Sequence, residues 1–227
     1  MMPQMDGMIL IDKPANMTSF GVVARVRRKL TEKAGKKVKV GHTGTLDPFA
    51  TGLMILLVGK ACKQAGKFSK LDKTYEATIV LGETSTTGDP EGEISHASRV
   101  VPTEEDIKKA LKHFTGFIMQ TPPAFSAIKI DGQRAYKLAR DGKKVDMPQR
   151  EVTIYKLELV DYTYPKLKIR THVSSGTYIR TLAEDIGKVL KTGAYCQELR
   201  RTTVGEWQVN EAVTLEDEAA TSIKPLH

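Results

Sequence analysis

The chain has 227 residues, of which 40% are hydrophobic, and a formal net charge of +8. This length allows one sizeable core, and two cysteines without metal-ligand spacing argue against a disulfide framework or a zinc site. The longest apolar run, Leu53 to Val58, is too short to cross a bilayer, and the first ten residues do not resemble a signal peptide. We therefore expect a cytoplasmic protein without membrane contact. The basic balance fits a polyanionic partner or ordinary solubility charge.

The first predicted helix begins after Thr18 and Ser19, and its apolar face consists of Val22, Val23, Val26 and Leu30. Between residues 21 and 40 there are eight basic residues and one acidic residue. We predict that this stretch contacts phosphates, with a merely solvated helix face as the alternative. The candidate contacts are Arg25, Arg28, Lys29 and Lys39.

A glycine-rich loop follows, from Gly41 to Gly52, and leads into a buried strand from Leu53 to Val58. Asp47 precedes Pro48, a pair that by itself indicates a turn, and His42 by itself is a turn or core residue. The glycines allow backbone or a ligand to approach closely. No nucleotide-binding fingerprint fits the loop, so we expect no ATP or dinucleotide cofactor.

The rest of the chain mixes strand and helix patterns irregularly, which predicts an α+β fold with a largely antiparallel sheet. Helices are expected after the Thr103–Asp106 capping box and along the apolar stripe Ile179, Leu182, Ile186 and Val189. Strands are expected at Tyr75–Leu81, Val152–Val160 and Leu167–Val173, and a polar loop at Thr84–Gly92. Residues 120–150 resemble a basic insert with a short helix near Arg134–Arg140. Residues 210–227 form an acidic tail, either docked or loose.

Two further segments offer side chains for chemistry. Tyr75 begins a strand and is either packing or an aromatic platform for a nucleobase. Arg180 joins a strand to a helix, and it is either a surface residue or the bidentate partner of a buried carboxylate.

Taken together, these segments resemble the TruB-type tRNA pseudouridine synthases. The motifs occur in the family's order and spacing from residue 8 to about 215. They are Ile11–Pro14 with Met17–Ser19, Gly41–Pro48 with Ala50–Gly52, Lys73–Tyr75, Gln120–Pro123 with Ser126–Ala127, Gly176–Arg180, and Leu199–Thr202.

The resemblance implies the pseudouridine synthase fold: a mixed, mostly antiparallel sheet flanked by helices, with a thumb-like RNA-binding insert near residues 120–150. It implies that uridine 55 in the T-loop of tRNA is isomerised, without cofactor or metal, after the base is flipped. Asp47 falls on the catalytic aspartate and Arg180 on the arginine that pairs with it. The positions that contact the target nucleotide or its loop are His42, Tyr75, Tyr178 and Leu199, and Tyr75 also suits assistance with proton loss. Lys129 and Arg134 in the insert are candidate backbone contacts.

Two departures from the family pattern stand out. Asn16 replaces a common glycine, and asparagine also tolerates a left-handed backbone. The chain ends soon after Leu215, so we expect a single catalytic domain, residues 1–227, without the small C-terminal RNA-binding domain of many relatives.

Two other functions stay open. A guide-RNA-dependent pseudouridine synthase subunit has related motifs, although the insert and the short C-terminus favour a stand-alone enzyme. A non-catalytic tRNA-binding or folding factor would need only the basic surfaces. We expect tRNA as the partner of a monomer that requires no other protein.

Overall fold

The computed structural model describes residues 6–126, 128–130, 132–142, 146–216 and 223–226, without the side chains of Lys129, Tyr136 and Arg140. Two predicted features, Ala127 and the Lys129 side chain, lie outside this description. The strands are β1 Gly7–Lys13, β2 Val40–His42, β3 Thr51–Val58, β4 Lys73–Leu81, β5 Glu83–Ser85, β6 Ile94–His96, β7 Gly116–Gln120, β8 Lys129–Ile130, β9 Gln133–Arg134, β10 Arg150–Thr163, β11 Lys166–Val173, β12 Ala194–Val204 and β13 Trp207–Gln208. The α-helices are α1 Ser19–Ala34, α2 Ala65–Ser69, α3 Glu104–His113, α4 Ala135–Arg140 and α5 Ile179–Val189.

The chain forms two compact units. Unit 1 contains Met1–Thr74 and Arg200–His227, and unit 2 contains Tyr75–Leu199. The strands β4 and β12 each continue from one unit into the other along the chain.

In unit 1, β3 is the central strand. It pairs antiparallel with β1 and β2, and parallel with β12 where Arg200 and Arg201 lie opposite Thr51 and Gly52. One face of this sheet forms an apolar cluster with the following helices, built from Met8, Leu10, Leu53, Ile55, Leu57, Ala61, Phe68 and Val204. The run Leu53–Val58 is buried on both faces, which explains its continuous apolar sequence.

Helix α1 has the predicted cap and the predicted apolar face. The Thr18 hydroxyl accepts a hydrogen bond from the Gly21 amide at 2.9 Å, and Val22, Val23, Val26 and Leu30 are buried. Asn16 has φ 60, the left-handed conformation expected of a residue in place of glycine.

The acidic tail is docked rather than loose where the structure describes it. The Val213 amide donates to Leu10 O at 3.0 Å, and Lys224 exchanges backbone hydrogen bonds with Met8. Leu215 is buried. Residues 213–216 therefore follow β1 and form part of unit 1.

In unit 2, β4, β11, β10 and β7 are successive neighbours. The pairs β10–β11 and β10–β7 are antiparallel, and α3 packs against β10. Helix α3 begins with the predicted Thr103–Asp106 capping box. The insert contains a hairpin of β8 and β9, followed by α4 at the predicted position. The predicted α+β class with a mostly antiparallel sheet is confirmed.

Three details differ from the sequence predictions. The predicted loop from Thr84 begins as strand β5, because Glu83–Ser85 pairs antiparallel with β6, and residues 86–93 connect the two strands. Val189 is 47% exposed, since α5 ends there and its buried stripe ends at Ile186. Strand β12 was not predicted; it carries Arg200 and Arg201, and charged residues rarely indicate a buried strand.

Candidate functional site

Asp47 lies in the loop that connects β2 to β3. His42 is the last residue of β2, opposite Leu56, and both His42 and Asp47 are half-buried. The Ala50 amide donates to Asp47 O at 3.2 Å, which closes a turn around Pro48. The Asp-Pro pair therefore does form a turn, and this turn presents the carboxylate.

Lys13 connects the first motif to the Asp47 loop. Its side chain is fully buried, and Nζ donates to Pro14 O at 2.8 Å, Met17 O at 2.7 Å and Pro48 O at 3.0 Å. A buried ammonium is costly unless its protons are bonded, so the three carbonyls compensate for its desolvation. Lys13 thereby ties the residue after Asp47 to the end of β1.

Ser19 fixes the residue before Asp47. Its hydroxyl accepts from the Leu46 amide and donates to the Leu46 carbonyl, both at 2.8 Å. Ser19 is buried at the first position of α1. The first turn of the helix therefore anchors the main chain of the Asp47 loop.

Arg201 holds the loop from the β12 side. Its guanidinium is buried and donates from Nε to Leu53 O at 2.8 Å, from Nη2 to Gly44 O at 3.2 Å and from Nη1 to Thr45 O at 3.3 Å. Gly52 lies directly against the Arg201 backbone with φ 105, and a Cβ there would be 2.7 Å from Arg201 N. Gly52, the third glycine of the motif, is thus required for this parallel strand contact.

Lys73 is a third buried cation in unit 1. Its Nζ donates to Ser69 O at 2.7 Å and to Leu71 O. Burial, and secondarily the charge of Arg201, lowers the pKa of Lys73 to about 8. Four residues of the sequence motifs thus make buried hydrogen bonds to main-chain carbonyls: Lys13, Ser19, Lys73 and Arg201. These hydrogen bonds were not predicted, because the spacing of residues along the chain does not reveal them.

In unit 2, Arg180 is buried and pairs with a carboxylate, which is one of the two alternatives that the sequence left open, but its partner Asp89 was not predicted. Its Nη1 donates to Asp89 Oδ2 at 3.0 Å and to Thr87 O at 2.8 Å, and Nη2 donates to Phe125 O at 2.8 Å. Both side chains of the pair are 3% exposed. Asp89 lies in the predicted polar loop, and its position before Pro90 is the sequence signal that could have singled it out.

Asp89 is itself fixed by further hydrogen bonds. Its Oδ1 accepts from Thr87 Oγ1 at 2.6 Å and from the Glu91 amide at 3.0 Å. The carboxylate is therefore held from both sides, and the Arg180 guanidinium is oriented before any substrate binds.

Tyr178 precedes α5, and its main chain is clamped by Gln120. The Gln120 amide nitrogen donates to Tyr178 O at 3.0 Å, and its oxygen accepts from the Tyr178 amide at 2.8 Å. The Arg150 guanidinium lies 4.8 Å from the centre of the Tyr178 ring and donates to Gly176 O. Gln120 and Arg150 are cross-strand partners at the two ends of the insert, so the insert is tied to the segment that carries Tyr178 and Arg180.

Tyr75 and Leu199 are buried in unit 2, at 8% and 7% exposure. Asp47 and His42 belong to unit 1, whereas Tyr75, Tyr178, Arg180 and Leu199 belong to unit 2. The predicted pairing of Asp47 with Arg180 stays a prediction, as do the nucleotide contacts.

The predicted phosphate contacts fall into two groups. Arg25 forms an ion pair with Glu216 at 3.1 Å, and Lys29 donates to Leu215 O at 2.6 Å, so the C-terminal segment takes up both side chains. The second group is exposed and consists of Arg28, Lys39 and Arg134.

Residues 27–179 match the model of the TruB family pseudouridylate synthase N-terminal domain, and residues 180–223 match that of the tRNA pseudouridylate synthase B C-terminal domain. The chain belongs to the TruB family. The family that the sequence motifs predicted is therefore confirmed. The chain is a pseudouridine synthase, which is an isomerase. That it lacks a further RNA-binding domain stays a prediction.

Curated relatives agree with this assignment. Proteins named tRNA pseudouridine synthase B from Opitutus terrae and Aquifex aeolicus are 44% and 46% identical over 214 and 216 residues. Each alignment covers 94% of this chain, and it covers 87% and 73% of the respective relative.

Solved structures are similar at lower identity. A chain of a Cbf5-Nop10-Gar1 complex superposes with a TM-score of 0.74 at 28% identity, over 96% of this chain and 60% of that chain. A chain of an H/ACA RNP bound to a substrate RNA gives 0.68 at 29% identity, over 93% and 51%. Among the described residues, no helix is long and apolar enough to span a membrane.

Proposed function

We propose that the chain isomerises uridine 55 in the T-loop of tRNA to pseudouridine, with Asp47 as the catalytic carboxylate. The observation that carries this proposal is the similarity to proteins named tRNA pseudouridine synthase B, at 44–46% identity over 92–94% of the chain. The matched stretch includes the entire Asp47 loop.

The reaction breaks the N1–C1′ bond of uridine and forms a C5–C1′ bond. The C5 proton is released and N1 gains one, so atoms and electrons balance without a redox partner. A stacked uracil must first leave its loop, which costs a few kcal/mol that phosphate contacts can offset. His42 is suited to fill the vacated space, and Tyr75 to stack on the flipped base.

Three routes are open to Asp47. The carboxylate adds to C1′, as a glycosidase nucleophile does, or it attacks C6, or it removes the C2′ proton to give a glycal. All three require an ionised and well-aimed carboxylate. The anchoring of its loop by Lys13, Ser19 and Arg201 supports this requirement.

We propose in addition that Arg180 pairs with Asp47 and keeps its carboxylate ionised and oriented toward the substrate. Support comes from its own environment, since Asp89 and two carbonyls fix the guanidinium plane. Lysine has no such plane, so Arg180→Lys should fold but lose most of its turnover. An unchanged rate would contradict the proposed ion pair between Arg180 and Asp47.

The test is tritium release from a tRNA transcript labelled at C5 of uridine. Wild type should release tritium without guide RNA or any other protein, Asp47→Asn should not, and Asp161→Asn, which removes an exposed carboxylate, should match wild type. A transcript with cytidine at position 55 should release nothing from that site. Full activity of a folded Asp47→Asn variant, or equal release from the cytidine transcript, would refute the mechanism or the position.

The second candidate is the catalytic subunit of a guide-RNA-dependent synthase. The specific observation is that the similar solved chains come from a Cbf5-Nop10-Gar1 complex and an H/ACA RNP. Their identity of 28–29% is well below that of the stand-alone relatives. Activity on bare tRNA decides for the stand-alone enzyme, which we expect to act as a monomer.

A further inference from the structure

Helix α1 has two polar flanks with different neighbours. Arg25 and Lys29 lie four residues apart on one flank and hold the C-terminal segment through Glu216 and Leu215 O. Phe20 lies on the opposite flank, together with Arg27, two helical turns away.

The Phe20 flank borders the segment that leads to Asp47. Thr31, eleven residues after Phe20 and on the same flank, accepts from the Val38 amide at 3.3 Å. The chain then runs back along the helix through β2, and Leu46 bonds to Ser19, the neighbour of Phe20. Phe20 therefore lies at the end of α1 that anchors the catalytic loop.

Phe20 is unusually exposed for a phenylalanine, at 67%. The Arg27 guanidinium carbon lies 5.9 Å from the ring centre. The Arg28 side chain is 71% exposed and lies 3.9 Å from Glu32 in an exposed ion pair, which an RNA phosphate can replace. The first turn of α1 contains no acidic residue. An exposed phenylalanine by itself means little, but an aromatic face with two guanidinium groups is the combination that binds an unpaired base and its phosphate.

We propose that Phe20, Arg27 and Arg28 form a stacking site for an unpaired nucleobase of the substrate RNA, beside the target uridine. Phe20 stacks on the base, Arg27 strengthens the stack as a cation over the ring, and Arg28 contacts the adjoining phosphate. Arg25 and Lys29 position the C-terminal segment and do not bind RNA. The inference rests on the proposed function, because it requires an RNA substrate.

Phe20→Ala should raise the Kd for a tRNA transcript roughly tenfold, since loss of one base–aromatic stack has an effect of this order. The single-turnover rate at saturating RNA should stay as in wild type, because Phe20 does not contact the reacting atoms. Phe20→Tyr should retain wild-type affinity. The matched control is Phe117→Ala, which removes another exposed phenylalanine, 77% exposed on β7.

Phe20→Trp gives a direct readout of stacking. Its fluorescence should be quenched when the transcript binds, whereas wild type, with Trp207 alone, should show little change. Arg28→Ala should lower the slope of log Kd against log salt by roughly 0.7 to 0.9, the effect of one phosphate contact. Arg25→Ala should leave that slope unchanged.

Circular dichroism confirms folding of each variant before RNA is added. The inference is overturned if wild type releases tritium from tRNA while Phe20→Ala binds as tightly as wild type, or if the tryptophan at position 20 is not quenched. A wild-type chain that releases no tritium from tRNA overturns the proposed function instead, so the two failures are distinguishable.

Discussion

Replacement of Asp89 by asparagine tests whether the buried pair with Arg180 stabilises unit 2. Asparagine has the same shape, and its oxygen can still accept from Thr87 Oγ1 and the Glu91 amide. Its amide group, however, brings a donor instead of an acceptor to Arg180 Nη1, now 3.0 Å from the carboxylate oxygen.

The expected cost follows from burial. Both side chains of the pair are 3% exposed, so the guanidinium left behind cannot recover its hydration. Removing one partner of such a pair costs about 3–5 kcal/mol, and the conserved shape places Asp89→Asn near 3 kcal/mol. The exposed pair of Glu76 with Arg170, at 45% and 53%, is the matched control, and Glu76→Gln should cost below about 1 kcal/mol.

Urea unfolding followed by far-ultraviolet circular dichroism measures this difference. The signal of Trp207 is unsuitable because that residue lies in unit 1, whereas Asp89 lies in unit 2. With an m-value of about 2 kcal/mol per molar urea, the midpoint should fall by roughly 1.5 M. A midpoint no lower than that of Glu76→Gln would refute the assignment of stability to this pair.

Three further predictions concern single residues. Gly52→Ala should yield little folded protein, since φ 105 and the neighbouring strand leave no space for Cβ, whereas Gly41→Ala, with nothing within 4 Å, should express normally. Burial and a neighbouring guanidinium lower the pKa of Lys73 from 10.5 to about 8, so the unfolded chain binds more protons between these values. The free energy of unfolding of wild type, minus that of Lys73→Met, should therefore rise as the pH is raised from 8 to 10.5. Denaturant titrations measure both free energies, and a difference that does not change with pH would contradict this prediction. Arg150→Lys should raise the KM for tRNA roughly fivefold with a small fall in the unfolding midpoint, because lysine loses the guanidinium contact with the Tyr178 ring.

The parts of the fold that sequence predicted are those set by local chemistry. The cap at Thr18 and the capping box at Thr103 each depend on residues three positions apart. The apolar stripe of α1 depends on helical periodicity alone. The structure agrees with these three signals, whereas the predicted stripe of α5 fails at Val189, which is exposed.

The parts that escaped prediction depend on partners distant along the chain. In the sequence, Arg201 looks like a surface residue. In the structure it is buried, because its guanidinium donates hydrogen bonds to Gly44 O, Thr45 O and Leu53 O. In the sequence, Asp89 looks like part of a solvated loop. In the structure it pairs with Arg180, which lies 91 residues further along the chain. Buried charges contradict hydrophobic patterning, so a pattern-based reading assigns them to the surface.

The basic helix shows the same limit in another form. Counting charges correctly marks α1 as basic, but it does not reveal that Arg25 and Lys29 have protein partners. Their acidic and carbonyl partners, Glu216 and Leu215 O, lie more than 180 residues further along the chain. Charge patterning therefore identifies the surface, and the tertiary structure shows which of its side chains contact distant parts of the chain.

The way in which the Asp47 loop is anchored decides how its variants should be interpreted. The hydrogen bonds from Ser19 to Leu46, and from Arg201 to Gly44 and Thr45, all end on main-chain atoms. These bonds do not depend on the side chain at position 47, so Asp47→Asn should keep the loop in place. Asp89 contributes its side chain to a buried pair, and its loss disturbs folding as well as Arg180. A loss of turnover in either variant is therefore assigned to chemistry only after urea unfolding has shown that the variant is as stable as wild type.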